Sequence, residues 1–231
     1  MIGVDFGDDS IIGKDWSLIY GMVCKVIKQR RAICWSRALT CLLEAAFNKG
    51  RLPTETYEFS HEELVQAIKL DSSVQFEVGS INAAVKRIQK KGLVKINSKN
   101  SWDEDGYRAR WKFEVKPNAN GQVLREQVLF AANGQVLREQ VLLQPVGIIM
   151  DVNSEFLDGT GKEFYKVRII EEGAERHALF IIGYGVKDGQ FFFICQNSWG
   201  KKWGYNGIGR LIIDDACPIF VFYPTGDQLF G

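Results

Sequence analysis

The apolar positions of residues 32–50, AICWSRALTCLLEAAFNKG, are separated by three and four residues, the spacing of one helical face that packs against a core. The positions on this face are Trp35, Ala38, Leu39, Leu42, Leu43 and Ala46. Because glycine favours the residue after a helix and Pro53 follows, the pattern predicts that the helix ends at Lys49 and Gly50.

Two further segments have helical patterns. In SHEELVQAI, Ser60 can cap a helix, and Glu63 three residues later completes a capping box. In INAAVKRIQKKG, the apolar spacing predicts a third helix, which Gly92 ends. The polar, aromatic-rich residues that follow alternate weakly and predict a strand near 107–115.

After Pro145 the pattern changes to short apolar runs divided by glycine, aspartate and lysine, which predicts strands. These runs are VGIIMDV, FYKVRII, HALFIIGYGV, QFFFICQNSWG and IGRLIIDD. Because helices come first and strands second, the chain is predicted to be an α+β protein with segregated lobes.

Between these halves, ANGQVLREQVL occurs at 119–129 and again, unchanged, at 132–142. A solenoid needs at least three repeats to bury a continuous face, so two copies do not predict a repeat protein. We expect that one copy serves the fold and that the other lengthens a helix or forms a surface loop.

Length and charge narrow the possible functions. The 231 residues suit one large domain or two lobes, and the net charge of +1 gives no electrostatic case for a nucleic-acid partner. No apolar run has the length of a membrane span, and MIGVDFGDDS lacks the pattern of a signal peptide. The scattered cysteines argue against a zinc site and a full disulfide framework, leaving one or two bridges possible and at least one thiol free. They are Cys24, Cys34, Cys41, Cys195 and Cys217.

Three residues are candidates for chemistry. Cys34 begins the first predicted helix, where the helix dipole lowers a thiol pKa, whereas Cys41 inside that helix would be an inert filler. His61 lies in the first turn of the capped helix and is predicted to be solvated, and His177 opens an apolar run. Asn197 lies in CQNSWGKKWGYNG, which is either a glycine-rich turn held by aromatic packing or a site where an asparagine orients a reactive group.

Together these residues resemble the papain family of cysteine proteases. QNSWGKKWGYNG resembles its NSWGxxWGxxG block, HALFIIGYG its HAVxxVGYG segment, and the early DW, the CW at Cys34 and QPVGIIMDV have counterparts as well. The resemblance implies one peptidase domain over 1–231, with a helical lobe over about 15–115, an antiparallel β-barrel-like lobe over about 132–231 and the active-site cleft between them.

The resemblance also implies roles for residues. Cys34 would be the nucleophile, His177 its proton acceptor, Asn197 the residue that orients His177, and Trp199 the cover that keeps this hydrogen bond dry. The oxyanion donor is assigned to Gln29, although Lys28 has the family's spacing. The substrate pocket is assigned to Ile149 and Ala178, and no metal or other cofactor is implied.

The implied function is a cysteine endopeptidase that forms a thioester acyl-enzyme. The alternative is a degenerate papain-fold protein that binds peptides or a protein partner without efficient turnover, because the family's GCxGG segment is missing and CGSCW reads RAICW. The implied partners are peptide or protein substrates and cystatin-like inhibitors, with no nucleic acid or membrane, and the chain is expected to be a monomer. Family members are typically lysosomal, vacuolar or extracellular, and the sequence shows no targeting signal of its own.

Two expectations follow from departures within the resemblance. The family counterpart of Cys217 is bridged, but no cysteine lies between Cys41 and Cys195, so Cys217 is expected to have no disulfide partner. The second copy of the repeat leads directly into QPVGIIMDV and is therefore expected to be the structural one. Its buried positions would be Val136, Leu137 and Val141, and residues 119–131 would be an insert at the surface.

Overall fold

A computed structural model describes residues 3–29, 33–69, 81–96, 108–113, 130–132, 134–168, 175–214 and 219–230. In these ranges the chain forms five α-helices and twelve strands. No helix in them is long and apolar enough to cross a membrane.

The three helices predicted in the first half of the chain are present as α1 (Cys34–Asn48), α2 (His61–Lys69) and α3 (Ile81–Lys91). The second half contains α4 (Gly134–Leu143) and the short α5 (Ser154–Leu157). As predicted, α1 stops before Gly50, which has a φ of +78° that glycine adopts without strain. The Ser60 hydroxyl accepts the Glu63 N–H at 3.3 Å at the start of α2, and the Glu63 carboxylate accepts from Arg87 at 2.6 Å.

Eight strands form the larger sheet. They are β1 (Ile11–Asp15), β5 (Phe130–Ala132), β6 (Val146–Val152), β7 (Phe164–Lys166), β8 (Glu175–Lys187), β9 (Gln190–Gln196), β10 (Ile208–Ile212) and β11 (Ile219–Phe222). Their order is β5-β11-β6-β8-β9-β10-β7, with β1 also paired to β8, and every pair is antiparallel except β7 with β10. The predicted α+β class is confirmed, but the described strands form no closed barrel.

A second sheet joins the last strand of the chain to strands from its first half. It contains β2 (Glu58–Phe59), β3 (Leu93–Ile96), β4 (Arg108–Phe113) and β12 (Pro224–Phe230), in the order β12-β4-β3-β2. The strand predicted near 107–115 is β4. Helices and strands are therefore less segregated than predicted, because β1 enters the larger sheet and β12 returns to the smaller one.

Helix α1 forms the centre of the core. The predicted face is buried, with Trp35, Leu39 and Leu43 fully inaccessible. The opposite face is buried too, since Ser36 and Thr40 are also inaccessible to solvent. This happens because α1 packs against β8 on one side and against α2 and α3 on the other. The helix is thus more enclosed than its one-sided pattern predicted.

The enclosure of α1 includes a charged pair. Glu44 is buried, accepts the Phe59 backbone N–H at 3.1 Å and lies 3.9 Å from Arg37. Burial raises the pKa of Glu44 to about 7, and the Arg37 guanidinium only partly opposes this shift. His61 is half-buried rather than solvated as predicted, and burial, together with Arg37, lowers its pKa to about 4.

We expect Glu44→Gln to remove a pH dependence of stability. A carboxyl whose pKa rises from 4.5 to about 7 on folding stabilises the protein below pH 4.5, and that contribution is lost as pH rises through about 7. Glutamine keeps the acceptor for Phe59 but does not titrate. Chemical denaturation at several pH values should therefore show the variant gaining stability relative to wild type between about pH 4.5 and 7. If the stability of the two proteins changed with pH in parallel, this prediction would be wrong. Both histidines are present in both proteins, so their titration does not contribute to the difference between the two curves.

The second copy of the repeat forms α4. Leu137 and Val141 are fully buried, as predicted, and the Trp16 indole N–H donates to the Val141 carbonyl at 2.8 Å. The side chain of Val136 and the whole first copy lie outside the described residues, and so does Cys217.

Candidate active site

Neighbouring strands bring His177 and Asn197 together. His177 lies near the start of β8, and Asn197 directly follows β9, which pairs antiparallel with β8. The imidazole Nε2 and the Asn197 Oδ1 are 2.9 Å apart. The same Oδ1 accepts the Ser198 backbone N–H at 2.8 Å, which orients the amide with its oxygen toward His177. Because an amide oxygen only accepts, Nε2 carries the proton and Nδ1 is left with a free lone pair.

Aromatic rings enclose this hydrogen bond. The Trp199 ring lies 4.8 Å from the His177 ring, and Phe156 from α5 lies 5.8 Å from His177 and 5.3 Å from Trp199. Trp203 packs edge-on against Trp199 at 5.9 Å. His177 is buried, as is Asn197. A hydrogen bond in such surroundings is stronger than one in water, because no solvent competes for it.

Cys34 is held next to the same strand. It is the first residue of α1, only 4% exposed, and its Sγ accepts the backbone N–H of Ala178 at 3.5 Å. Ala178 is the residue after His177. The strand that carries the imidazole therefore also contacts the sulfur through its backbone.

The predicted lowering of the Cys34 pKa is wrong for the thiol taken alone. Burial raises the pKa, and the hydrogen bond from Ala178 only partly opposes it. Burial likewise lowers the pKa of His177 to about 4, against the bond to Asn197. Desolvation of a charged group outweighs the helix N-terminus here, and both shifts favour the neutral form of the group concerned, thiol for Cys34 and imidazole for His177.

Gln29 lies beside the turn that carries Asn197. Its backbone N–H donates to the Ser198 carbonyl at 2.7 Å, and its side-chain Oε1 accepts the Ser198 hydroxyl. With Oε1 engaged as an acceptor, the Nε2 group is the end of this side chain that remains to donate a hydrogen bond. Lys28 instead forms a β-bridge with Trp199.

The two predicted pocket residues face each other across strands. Ile149 of β6 is the register partner of Ala178 in β8, and they are 2% and 3% exposed. Both belong to the core cluster that includes Cys34.

A disulfide ties the segment before Gln29 to α1. Cys41 is bonded to Cys24, so its prediction as an inert filler is wrong. The Gln196 amide donates to the Cys24 carbonyl at 2.8 Å and holds the same segment against β9. Among the described cysteines, Cys34 and Cys195 are free thiols. No group of three described residues of the types His, Cys, Asp and Glu could hold a metal ion.

Three contacts of the site were missed from the sequence: those of Phe156, Ser198 and Gln196. Ser198 and Gln196 flank Asn197 in QNSWG, so their closeness along the chain was a usable signal. Phe156 comes from a segment with no motif. It reaches His177 only because α5 directly follows β6, the strand that pairs with β8.

The sequence matches a family model described as papain family cysteine protease over residues 14–221. The chain belongs to the papain family of cysteine proteases. This confirms the resemblance seen in CW, HALFIIGYG and NSWG, and the confirmed family is one of cysteine peptidases.

Two papain-family relatives align with most of the chain at low identity. The chain is 26% identical over 207 residues to a protein of Arabidopsis thaliana named thiol protease aleurain-like, and 28% identical over 206 residues to cysteine proteinase 2 of Zea mays. Each alignment covers 86% of this chain and 54% of the relative. The chain therefore spans about half the length of these curated relatives.

Solved structures show the same fold. Bromelain of Ananas comosus, crystallised with an inhibitor, superposes with a TM-score of 0.63 at 21% identity, covering 95% of this chain and 100% of that one. The proform of a ragweed pollen cysteine protease gives a TM-score of 0.68 at 18% identity, covering 96% and 68%.

Proposed function

We propose that the chain is a cysteine endopeptidase with Cys34 as nucleophile, His177 as acid–base and Asn197 as the residue that orients His177. One observation carries the proposal: the Nε2–Oδ1 hydrogen bond of 2.9 Å between His177 and Asn197, enclosed by aromatic rings. It fixes the tautomer whose Nδ1 can accept a proton, on the strand whose next residue contacts the Cys34 sulfur.

In the proposed reaction, Nδ1 of His177 takes the Cys34 proton and the thiolate attacks the carbonyl carbon of a peptide bond. The imidazolium then protonates the leaving amine, which leaves a thioester on Cys34. His177 next takes a proton from water, the hydroxide attacks the thioester, and Cys34 leaves as the thiolate. Asn197 keeps the ring in one orientation through both steps.

In this proposal, buried Cys34 and His177 can react because the thiolate and the imidazolium form in the same step. Burial disfavours a lone thiolate and a lone imidazolium, as the pKa shifts show. One proton transfer creates both charges together, and in a site of low dielectric each stabilises the other. The Asn197 oxygen adds to the stabilisation of the imidazolium, because it accepts from Nε2.

The oxyanion of the tetrahedral intermediate needs donors near the sulfur. We assign this role to the Cys34 backbone N–H, which begins α1, and to the Gln29 side-chain amide. The Ser198 hydroxyl donates a hydrogen bond to the Gln29 Oε1, so the Nε2 group is the end of that amide that can donate to the oxyanion. Loss of one such donor typically costs about 10²- to 10³-fold in rate.

A second candidate function is peptide or protein binding without efficient turnover. The observation that favours it is the enclosure of Cys34, which is 4% exposed beside a cavity of only about 10 Å³, the room of a single water molecule. A thiol held in this way, with a raised pKa, would be a poor nucleophile unless the proton transfer to His177 compensates.

Alkylation by iodoacetamide, followed by peptide mapping, separates the two functions. If Cys34 and His177 share a proton as proposed, Cys34 is expected to react at pH 6, far below the ordinary thiol pKa of about 8.5. His177→Ala should abolish that reaction. Cys195 is the internal control, because it is fully buried and burial raises its pKa to about 12. If Cys34 reacts no faster than Cys195 at pH 6, the endopeptidase proposal fails and the binding function is favoured.

A further inference from the structure

A cavity of about 180 Å³ lies on the far side of the aromatic rings that cover His177. Its apolar walls are Phe156, Phe164, Tyr165, Trp203 and Leu211. It shares no lining residue with the small cavity beside Cys34. Apolar cavities of about 150 Å³ accept a ligand the size of benzene, so this one has room for a single aromatic ring with a short chain.

Two buried donors in the cavity wall have no acceptor. Trp203 and Arg210 are 8% and 5% exposed, and the indole Nε1–H and the guanidinium Nε–H find no partner among the described residues. The other guanidinium nitrogens are engaged: one with Asp8 at 2.5 Å and the other with the Lys162 carbonyl at 3.0 Å. Unpaired buried donors are rare, and π electrons or a polar ligand atom would relieve them.

The shape of the cavity depends on glycine. Gly161 has a φ of +75°, and a Cβ there would lie 2.3 Å from the Trp203 ring. Gly209 presses on the other edge of the same ring, at 2.4 Å for an added Cβ. The indole is therefore fixed between two backbones, and the cavity wall that it forms is rigid.

Carboxylates surround the opening. Glu155 and Glu163 line the cavity and are exposed, so they stand where it meets solvent. Glu155 makes one long ion contact with Arg168, at 3.9 Å between two largely exposed side chains. Glu163 has no ion pair among the described residues. A ligand with a positive charge at the opening would therefore meet two carboxylates that are weakly engaged or unengaged.

We propose that this cavity binds a small aromatic amine, with the ring against Trp203 and Phe156 and the ammonium group between Glu155 and Glu163. The apolar walls and the volume select one ring, and the carboxylates select its positive charge. The cavity shares Phe156 and Trp203 with the aromatic cover of His177 and Trp199, but none of its lining residues is assigned a proton transfer, the nucleophilic attack or the oxyanion contact in the proposed peptidase reaction.

The test compares three ligands of similar size: 2-phenylethylamine, phenylacetate and toluene. Binding is followed by the indole N–H resonance of Trp203 in a ¹H–¹⁵N spectrum, assigned with Trp203→Phe. We expect saturable binding of the amine, with phenylacetate at least about fivefold weaker and toluene between them, since each exposed ion pair changes an affinity by only a few-fold.

A double variant identifies the carboxylates. Glu155→Gln with Glu163→Gln should bring the affinity of the amine down to that of toluene, whereas Glu139→Gln, an exposed carboxylate on α4, should leave it unchanged. Unchanged thermal unfolding of the double variant would show that it is folded. The proposal is overturned if the Trp203 resonance does not respond to the amine, if phenylacetate binds as tightly, or if the double variant binds the amine as well as wild type does.

Discussion

Replacing Cys34 with serine is expected to lower kcat/KM for a peptide substrate by about four orders of magnitude or more. A serine hydroxyl at this position would have to lose its proton to the same imidazole, but its pKa is far above that of a thiol. His177 and Asn197 would stay in place, because their hydrogen bond does not involve Cys34. The measurement is steady-state hydrolysis of a fluorogenic peptide by wild type and variant.

Cys195→Ala is the matched control for this experiment. Like Cys34, Cys195 is a buried free thiol, but it lies in β9, in a different core cluster from Cys34, and contacts no candidate catalytic residue through a described hydrogen bond. Cys195→Ala should lower the free energy of unfolding to some extent and leave kcat/KM within a few-fold of the wild-type value. If Cys34→Ser retained activity, or if Cys195→Ala lost as much, the assignment of the nucleophile would be wrong.

Local sequence patterns predicted where the helices and strands lie better than they predicted which strands pair. The helical spacing of residues 34–48 and the β-rich runs after Pro145 depend on neighbours along the chain, and α1, β6, β8 and β9 formed where they were expected. The pairings of β1 with β8 and of β12 with β4 join distant segments. No local period encodes which edge strand a terminus will join, so neither pairing was foreseen.

In the candidate site, too, features that lie in short motifs were predicted and features that depend on tertiary packing were not. Cys34, His177, Asn197 and Trp199 were identified as candidates because they lie in short motifs, and the structure places His177 in contact with both Asn197 and Trp199. The direction of the Cys34 pKa was missed because a helix N-terminus can be read from sequence, whereas the depth of burial cannot. The Cys24–Cys41 bridge was missed for a related reason: no motif brings an irregular segment and the middle of a helix together.

The largest stability effect is expected from Leu137→Asp. Leu137 is fully buried on α4, in the same cluster as Val141, Val146 and Ile148. An aspartate there would lose the packing of the leucine and bury a carboxylate in an apolar cluster. We expect the free energy of unfolding to fall by about 4 kcal/mol or more, or the variant not to fold at all. Chemical denaturation followed by circular dichroism measures this.

The repeat supplies a control within the same chain. Leu124 occupies in the first copy the place that Leu137 occupies in the second, with identical neighbours on both sides. If only the second copy is built into the core, Leu124→Asp should change the free energy of unfolding by no more than about 0.5 kcal/mol, the range of surface substitutions. Intrinsic helix propensity cannot account for a difference between the two variants, because the local sequences are the same. A larger loss in Leu124→Asp than in Leu137→Asp would mean that the first copy carries the core contacts in solution and that the assignment of the two copies must be exchanged.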